Sequence, residues 1–204
     1  NNIMFDNTSS NLWQIAVDGK RHQSLFSGLN NYKSPRWSPD GKKLAFISDE
    51  SDTNQIHIRW LDSSESAVIS NLQESPSSLS WSPNGKWLAF TMNVKSPIEP
   101  IVEPRSKPEG AEWAERPITI VNTRYQYDGQ GIVDPAYRHV FIVSSDGGSV
   151  RQLTNGDFNH NGSLTWSLDS QQVYFSAYRS NNWELVSNEA DIYSVNIETG
   201  ELDQ

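Results

Sequence analysis

Hydrophobic positions along the chain fall in short runs, alternating or continuous, each closed by a turn. Residues 12–17 run apolar before Asp18-Gly19, residues 55–61 before Asp62-Ser63, 140–143 before Asp146-Gly147-Gly148, and 192–195 before Glu198-Thr199-Gly200. Runs of this length and pattern predict β-strands, because successive side chains of a strand point to opposite faces.

A Trp-centred cassette recurs in phase with these runs. Ser34-Pro35-Arg36-Trp37-Ser38-Pro39-Asp40-Gly41-Lys42-Lys43-Leu44-Ala45-Phe46 returns 44 residues later as Ser78-Leu79-Ser80-Trp81-Ser82-Pro83-Asn84-Gly85-Lys86-Trp87-Leu88-Ala89-Phe90. A weaker copy spans residues 164–175, with Trp166, Leu168-Asp169-Ser170 and Tyr174-Phe175. In all three an aromatic residue lies nine positions after the Trp. Each copy predicts a hairpin: Pro presets φ for the turn and Gly takes the positive φ that other residues resist. The third copy has Ser where the others have Gly, so its turn is less well specified. From each turn Asp to the next cassette Trp the spacing is 19, 19 and 20 residues (18 to 37, 62 to 81, 146 to 166). One unit is therefore four strands in about 44 residues, the period of a β-propeller blade. A β-sandwich also has closely spaced strands but does not require a cassette at fixed phase.

The predicted fold is all-β, a propeller fragment of just under four four-stranded blades. Residues 1–30 read as the last three strands of a blade, with Met4-Phe5 in the place of Ala45-Phe46. Residues 33–72 read as a full blade, 77–155 as a blade carrying an insertion, and 162–204 as a blade with its outermost strand cut short. A chain that opens without Met and starts and stops in mid-blade is expected to be part of a larger ring. Unpaired blade faces would leave self-association of such a fragment open.

Charge narrows the partners. The 204 residues carry 16 Lys+Arg against 25 Asp+Glu, a net charge of −9, which argues against nucleic acid or an anionic membrane. No apolar stretch has the length of a membrane span. The 22 aromatic residues (8 Trp, 7 Tyr, 7 Phe) supply the packing surface of a folded domain. With no cysteine there is no disulfide, thiol nucleophile or thiolate metal site. The compartment stays open between cytoplasm and periplasm.

About 40 residues, roughly 93–138, are inserted between the second and third strands of the second full blade. Five of the chain's ten prolines fall in its first part (Pro97, Pro100, Pro104, Pro108, Pro117), which reads as an extended, solvated excursion. The second part, residues 118–131, turns apolar and aromatic and reads as a strand with a Gly-containing turn. The cassettes resemble TolB-like, WD-like propeller repeats. The segment from Pro117 to Gly131, followed by Arg138-His139-Val140-Phe141-Ile142-Val143 and by Gly147-Gly148-Ser149-Val150-Arg151-Gln152-Leu153-Thr154, resembles the propeller of acylaminoacyl-peptidase and dipeptidyl-aminopeptidase members of the prolyl oligopeptidase family in bacteria. That resemblance implies a parent serine peptidase in which the propeller caps a C-terminal α/β-hydrolase domain and peptides are the substrates. The hydrolase's Gly-x-Ser-x-Gly elbow is missing here. Gly147-Gly148-Ser149-Val150-Arg151 comes nearest and fails. No catalytic residue is assigned to this chain, and no metal or organic cofactor.

Individual side chains offer few sites. His22, His57, His139 and His160 lack metal-ligand spacing and read as surface or cross-strand packing residues. Asp49/Glu50 and Glu112/Glu115 read as solvated charge, and the Asp40-Gly41 and Asp128-Gly129 turns lack the oxygen density of a calcium loop. Trp37, Trp81 and Trp166 repeat with the blades and are expected to pack between them. Arg124, Tyr125 and Tyr127 form the one set raised above this background, as substrate-contacting or gating residues. An Arg flanked by aromatics can hold a peptide carboxylate or carbonyl while the rings stack on side chains. The function expected is a non-catalytic cover that restricts a peptidase to short peptides. The alternative is a TolB-like module that docks other proteins.

Overall fold

The computed structural model describes residues 8–96, 98, 105–114, 118–123, 125–129, 131–133, 135–186 and 189–204, with only the backbone of Tyr127. Its described residues contain strands and turns and no helix. Strands β1 (Leu12–Ile15) and β2 (His22–Phe26) form an antiparallel pair. The Met4-Phe5 strand expected to precede them lies outside the described residues. The first full sheet runs in chain order through β3 (Tyr32–Trp37), β4 (Lys43–Ser51), β5 (Thr53–Trp60) and β6 (Ser66–Val68). The second contains β7 (Ser77–Trp81), β8 (Trp87–Lys95), β11 (Ala136–Ser144) and β12 (Arg151–Gln152). Between β8 and β11 a detached two-stranded pair, β9 (Gln126–Tyr127) and β10 (Gly131–Ile132), closes around Asp128-Gly129. The third full sheet runs through β13 (His160–Trp166), β14 (Gln172–Ala177), β15 (Asp191–Asn196) and β16 (Leu202–Asp203).

Each full sheet is an antiparallel meander whose neighbouring strands are joined in sequence order. The strands β3, β7 and β13 face one another from sheet to sheet, so they form the inner edge of the arrangement. The core lies between sheets. Ile47, Ile56 and Ile58 of the first pack on Leu79, Leu88 and Phe90 of the second. Val140 and Ile142 of the second pack on Leu164, Val173 and Phe175 of the third. Burying one such side chain contributes roughly 1.5–3 kcal/mol. These junctions therefore hold the molecule together more than any contact within one sheet.

The cassette turn is built from one hydrogen-bond pattern. Ser38 Oγ donates to Asp40 Oδ1 (2.6 Å) and accepts from the Lys43 amide (2.8 Å), while the Gly41 amide closes on the Ser38 carbonyl (2.9 Å). Ser82 and Asn84 repeat this (Ser82 Oγ to Asn84 Oδ1 2.8 Å), and so do Ser167 and Asp169 (2.5 Å). The hydroxyl bond and the Lys42 amide hold the Asp40 carboxyl below its usual range, and the Ser167 hydroxyl and Gln171 amide do the same to Asp169. The third turn forms as well as the others. Ser170 adopts φ +64°, and its hydroxyl accepts the Asn84 amide of the preceding sheet at 3.1 Å. A contact to another sheet thus offsets the strain that Gly would avoid.

The cassette tryptophans do join sheets, through their indole N–H as well as their rings. Trp81 Nε1 donates to the Arg36 carbonyl (2.9 Å) and Trp166 Nε1 to the Ser80 carbonyl (3.2 Å). In each case the acceptor is the residue preceding the Trp of the previous cassette. Trp81 and Trp166 are buried, whereas Trp37 is 48% exposed and its indole N–H reaches no described partner. Between-sheet packing therefore holds for two of the three.

Strand alternation sorts the connections into two ends. The cassette turns and the turns at 61–65, 145–149 and 197–200 share one end. The β4–β5 turn, the described residues of 96–135 and of 178–190, and the links leading into β7 and β13 share the other. Of the segment 118–131 expected to be a strand with a Gly-containing turn, the apolar run 118–123 is not a strand, and the strand and turn form instead at β9 and Asp128-Gly129. Both edges of β8 are already taken by β7 and β11, so the run cannot pair beside the strand it follows, and Ile118, Ile120 and Val121 stay exposed.

Candidate functional site

The insertion end carries a cavity of about 560 Å³. Alternation along two strand starts builds one of its walls. Ala136 and Arg138 of β11 face it while Tyr137 and His139 face away, and Asn161 of β13 and the preceding Asn159 face it while His160 points inward. Asn93 of β8, paired in register with Arg138, completes this wall. The opposite wall comes from the insertion: Ile118 to Asn122, Tyr125, Ile132 and Val133. Trp183 and Glu184, from the β14–β15 connection, close one side.

Three contacts fix the insertion, and a fourth braces the sheet junction behind it. The Ser96 amide donates to the Pro135 carbonyl (2.8 Å) where β8 and β11 part, and the Val133 amide to the Tyr125 carbonyl (3.0 Å). The Thr123 amide donates to Glu184 Oε2 at 3.0 Å, clasping the insertion to the third sheet's connection. Tyr137 meets Trp183 edge-to-face with ring centroids 5.9 Å apart. Burial raises the Tyr137 phenol above its usual pKa, helped by the nearby Asp157 and Glu184 charges. The ring therefore remains a neutral wall of this junction.

Of the set singled out from sequence, Tyr125 lines this cavity and is partly exposed. Arg124 lies outside the described residues, and of Tyr127 the structure describes only its place in β9. Asn93, Asn159, Asn161 and Trp183 were not foreseen. The signal available for them was the alternation Asn159-His160-Asn161, which becomes readable once His160 is known to face inward.

Behind the cavity wall, the side chains facing the other way form a buried polar cluster. His139 and His160 lie 5.1 Å apart between ring centroids. His160 Nδ1 lies 2.8 Å from the Arg138 carbonyl and its Nε2 lies 2.7 Å from an Arg179 guanidinium nitrogen. The carbonyl can only accept and the guanidinium can only donate, which fixes a neutral ring with its proton on Nδ1. Burial lowers the His160 pKa to about 4, and His139 is lowered by burial and by Arg179. His57 is likewise buried and lowered by desolvation, with Glu50 opposing. Only His22 is exposed; the other three are interior, so the surface reading holds for His22 and the packing reading for the rest, as where His57 stacks on its cross-strand neighbour Phe46. At His160 both nitrogens find partners, which lets a strand's inward face accept the neutral imidazole, whereas His57 Nε2 is buried with no partner among the described residues. No group of three or more His, Asp or Glu side chains among the described residues is placed to hold a metal.

Residues 4–110, more than half of the chain, match the family model of the TolB β-propeller domain. The chain belongs to the TolB β-propeller family. The rest of this TolB-type propeller, residues 119–204, matches the model of the dipeptidyl peptidase IV N-terminal region. The propeller is similar to the uncharacterized peptidase YuxL of Bacillus subtilis (strain 168), 29% identical over 173 residues, which are 84% of this chain and 26% of YuxL. Among solved structures it shares its fold with TolB from Acinetobacter baumannii (TM-score 0.59, 19% identity, 95% of this chain and 37% of that one). It shares it equally with the Pyrococcus horikoshii acylaminoacyl peptidase (TM-score 0.59, 18% identity, 93% of this chain and 26% of that one). The propeller thus spans about a quarter of the length of its peptidase relative. TolB-like repeats, as the cassettes suggested, are what the first match shows, and from residue 119 onward the chain is similar to the dipeptidyl peptidase IV N-terminal region.

Proposed function

We propose that this propeller is the non-catalytic cover of a serine peptidase. It would lie over the active site of an α/β-hydrolase domain in the parent protein and admit only short or unfolded peptides. The observation that carries this reading is the 96–135 insertion. It leaves the second sheet at the end where the cavity opens, and the match to the dipeptidyl peptidase IV N-terminal region begins inside it, at residue 119. A cover acts by excluding bulk, so it needs rigid sheets and a structured rim. The parent hydrolase would cleave peptides through an acyl-enzyme on its serine. Arg124, Tyr125 and Tyr127 would be the propeller's contribution to substrate contact or gating.

The test uses the full-length product of the gene that encodes this chain. A fluorophosphonate probe should label one serine, and kcat/KM should fall steeply from peptides of a few residues to a folded protein carrying the same scissile bond. Arg124→Ala should leave the fold intact and raise KM for peptides; unchanged kinetics would remove Arg124 from the site. Absence of a labelled serine would overturn the peptidase reading. Protein docking, which the TolB family match over 4–110 favours, would then be the function to pursue.

A further inference from the structure

We infer that the cavity at the insertion end is a docking site for an extended stretch of peptide, read through its backbone rather than its side chains. The inference rests on the peptidase-cover reading for the identity of the peptide, but the site itself is argued from its lining. Asn93 and Asn161 are exposed, and neither side-chain amide is engaged by any described group. Asn159 spends its Oδ1 on the Arg138 amide (2.9 Å) and keeps its NH2 for a ligand. A carboxamide offers a donor and an acceptor together, the same pair that each peptide unit presents, so side-chain amides can pair reciprocally with a backbone. Asn93 and Asn161 project from β8 and β13, strands of two different sheets. They can therefore engage peptide units at separate points along one segment.

The remaining walls suit the rest of such a ligand. Ile118, Ile120 and Val121 would otherwise leave apolar surface in water, and small aliphatic side chains of a peptide would cover it. Glu184 is committed to the Thr123 amide through Oε2 and clasps the insertion, while the exposed Arg138 guanidinium, also in the lining, can only donate and so suits a peptide carbonyl. A volume of about 560 Å³ lies within the range of small-ligand sites. A sugar would be held chiefly by its hydroxyls and by an open aromatic face. Trp183 instead meets Tyr137 edge-to-face, and the unengaged polar groups here are the Asn93 and Asn161 amides and the exposed Arg138 guanidinium, donors and acceptors suited to peptide units.

The experiment titrates the 204-residue chain with acetyl-Ala-Ala-Ala-amide and follows the asparagine side-chain and tryptophan indole signals by 15N–1H NMR. The expected result is saturable shifts at Asn93, Asn161 and Trp183. The same peptide with N-methylated backbone nitrogens should give none, because it has lost its donors. The double variant Asn93→Ala/Asn161→Ala should weaken binding about tenfold or more, in line with the loss of two hydrogen bonds, while keeping the wild-type amide spectrum elsewhere. Equal binding of the N-methylated peptide, shifts confined to other residues, absence of saturable binding, or binding of a disaccharide in place of the peptide would each overturn the inference. The outcome is separable from the peptidase reading: a parent lacking a reactive serine would leave a peptide-docking propeller standing, and a reactive serine without these shifts would leave a cover lacking this site.

Discussion

Replacing Trp166 by Phe tests whether the sheet junctions or the individual sheets carry the stability. Trp166 is 8% exposed and its indole N–H donates 3.2 Å to the Ser80 carbonyl of the neighbouring sheet. Phe removes that donor, at a net cost of about 1 kcal/mol, more where the abandoned carbonyl stays dry. It also removes part of a ring packed among Leu164, Val173 and Ala89. At about 25 cal/mol per Å², some 40 Å² of lost burial adds about 1 kcal/mol. The expected total is about 2–3 kcal/mol, which shifts the urea midpoint by roughly 1 M for a typical m-value. Trp81→Phe should behave alike. Trp37→Phe is the control: the residue occupies the same cassette position but is half exposed and makes no such bond, so its cost should stay below about 0.5 kcal/mol. Near-UV circular dichroism in urea reads all three. If Trp37→Phe costs as much as Trp166→Phe, the tryptophans stabilise their own sheets and the junction argument is wrong.

Three further outcomes follow from the same geometry. The His160 pKa is lowered from 6.5 to about 4 by burial, so between these values the unfolded chain binds a proton that the folded chain refuses. Its stabilising contribution is complete above about pH 7 and is lost as pH falls toward 4, about 3 kcal/mol in all. His160→Phe should flatten the acid limb of a stability-against-pH curve measured in urea, and an unchanged slope would refute the assignment. Ser78 holds φ +54° at the irregularity in β7; Ser78→Gly relieves that conformation and should raise the thermal midpoint by a few degrees, an increment of about 0.5–1 kcal/mol. Ser170→Ala should cost about 1 kcal/mol in urea denaturation by stripping the Asn84 amide of its acceptor, and Ser170→Gly should cost less because it relieves the positive φ.

The repeat was readable because a blade is a local object. Trp, turn and Phe lie within ten residues, and Pro-Asp-Gly chemistry specifies a hairpin whatever surrounds it. Which of the histidines lie inside was not readable. Whether His160 faces core or water depends on the neighbouring sheet, and its two partners, the Arg138 carbonyl and Arg179, come from either side of it in the chain. The apolar run 118–123 has a strand's alternation, yet alternation says nothing about whether a free sheet edge is within reach. The cavity was the least visible feature. Its lining is gathered from positions between Asn93 and Glu184, and asparagines scattered at that distance carry no local pattern. Tyr125 was found because aromatic residues beside an Arg draw attention wherever they stand.

The tryptophan link has a direction. Donor and acceptor sit side by side in every cassette, as Trp81 follows Ser80, and the Trp81 and Trp166 indoles each reach back to the cassette made before them. During synthesis a finished sheet therefore presents its acceptor before the matching donor has left the ribosome, and each new sheet docks on a surface that already exists. The same adjacency makes the unit self-compatible. A gene segment of one period, duplicated in tandem, brings both halves of the joint with it, so the array can lengthen without any new interface having to evolve.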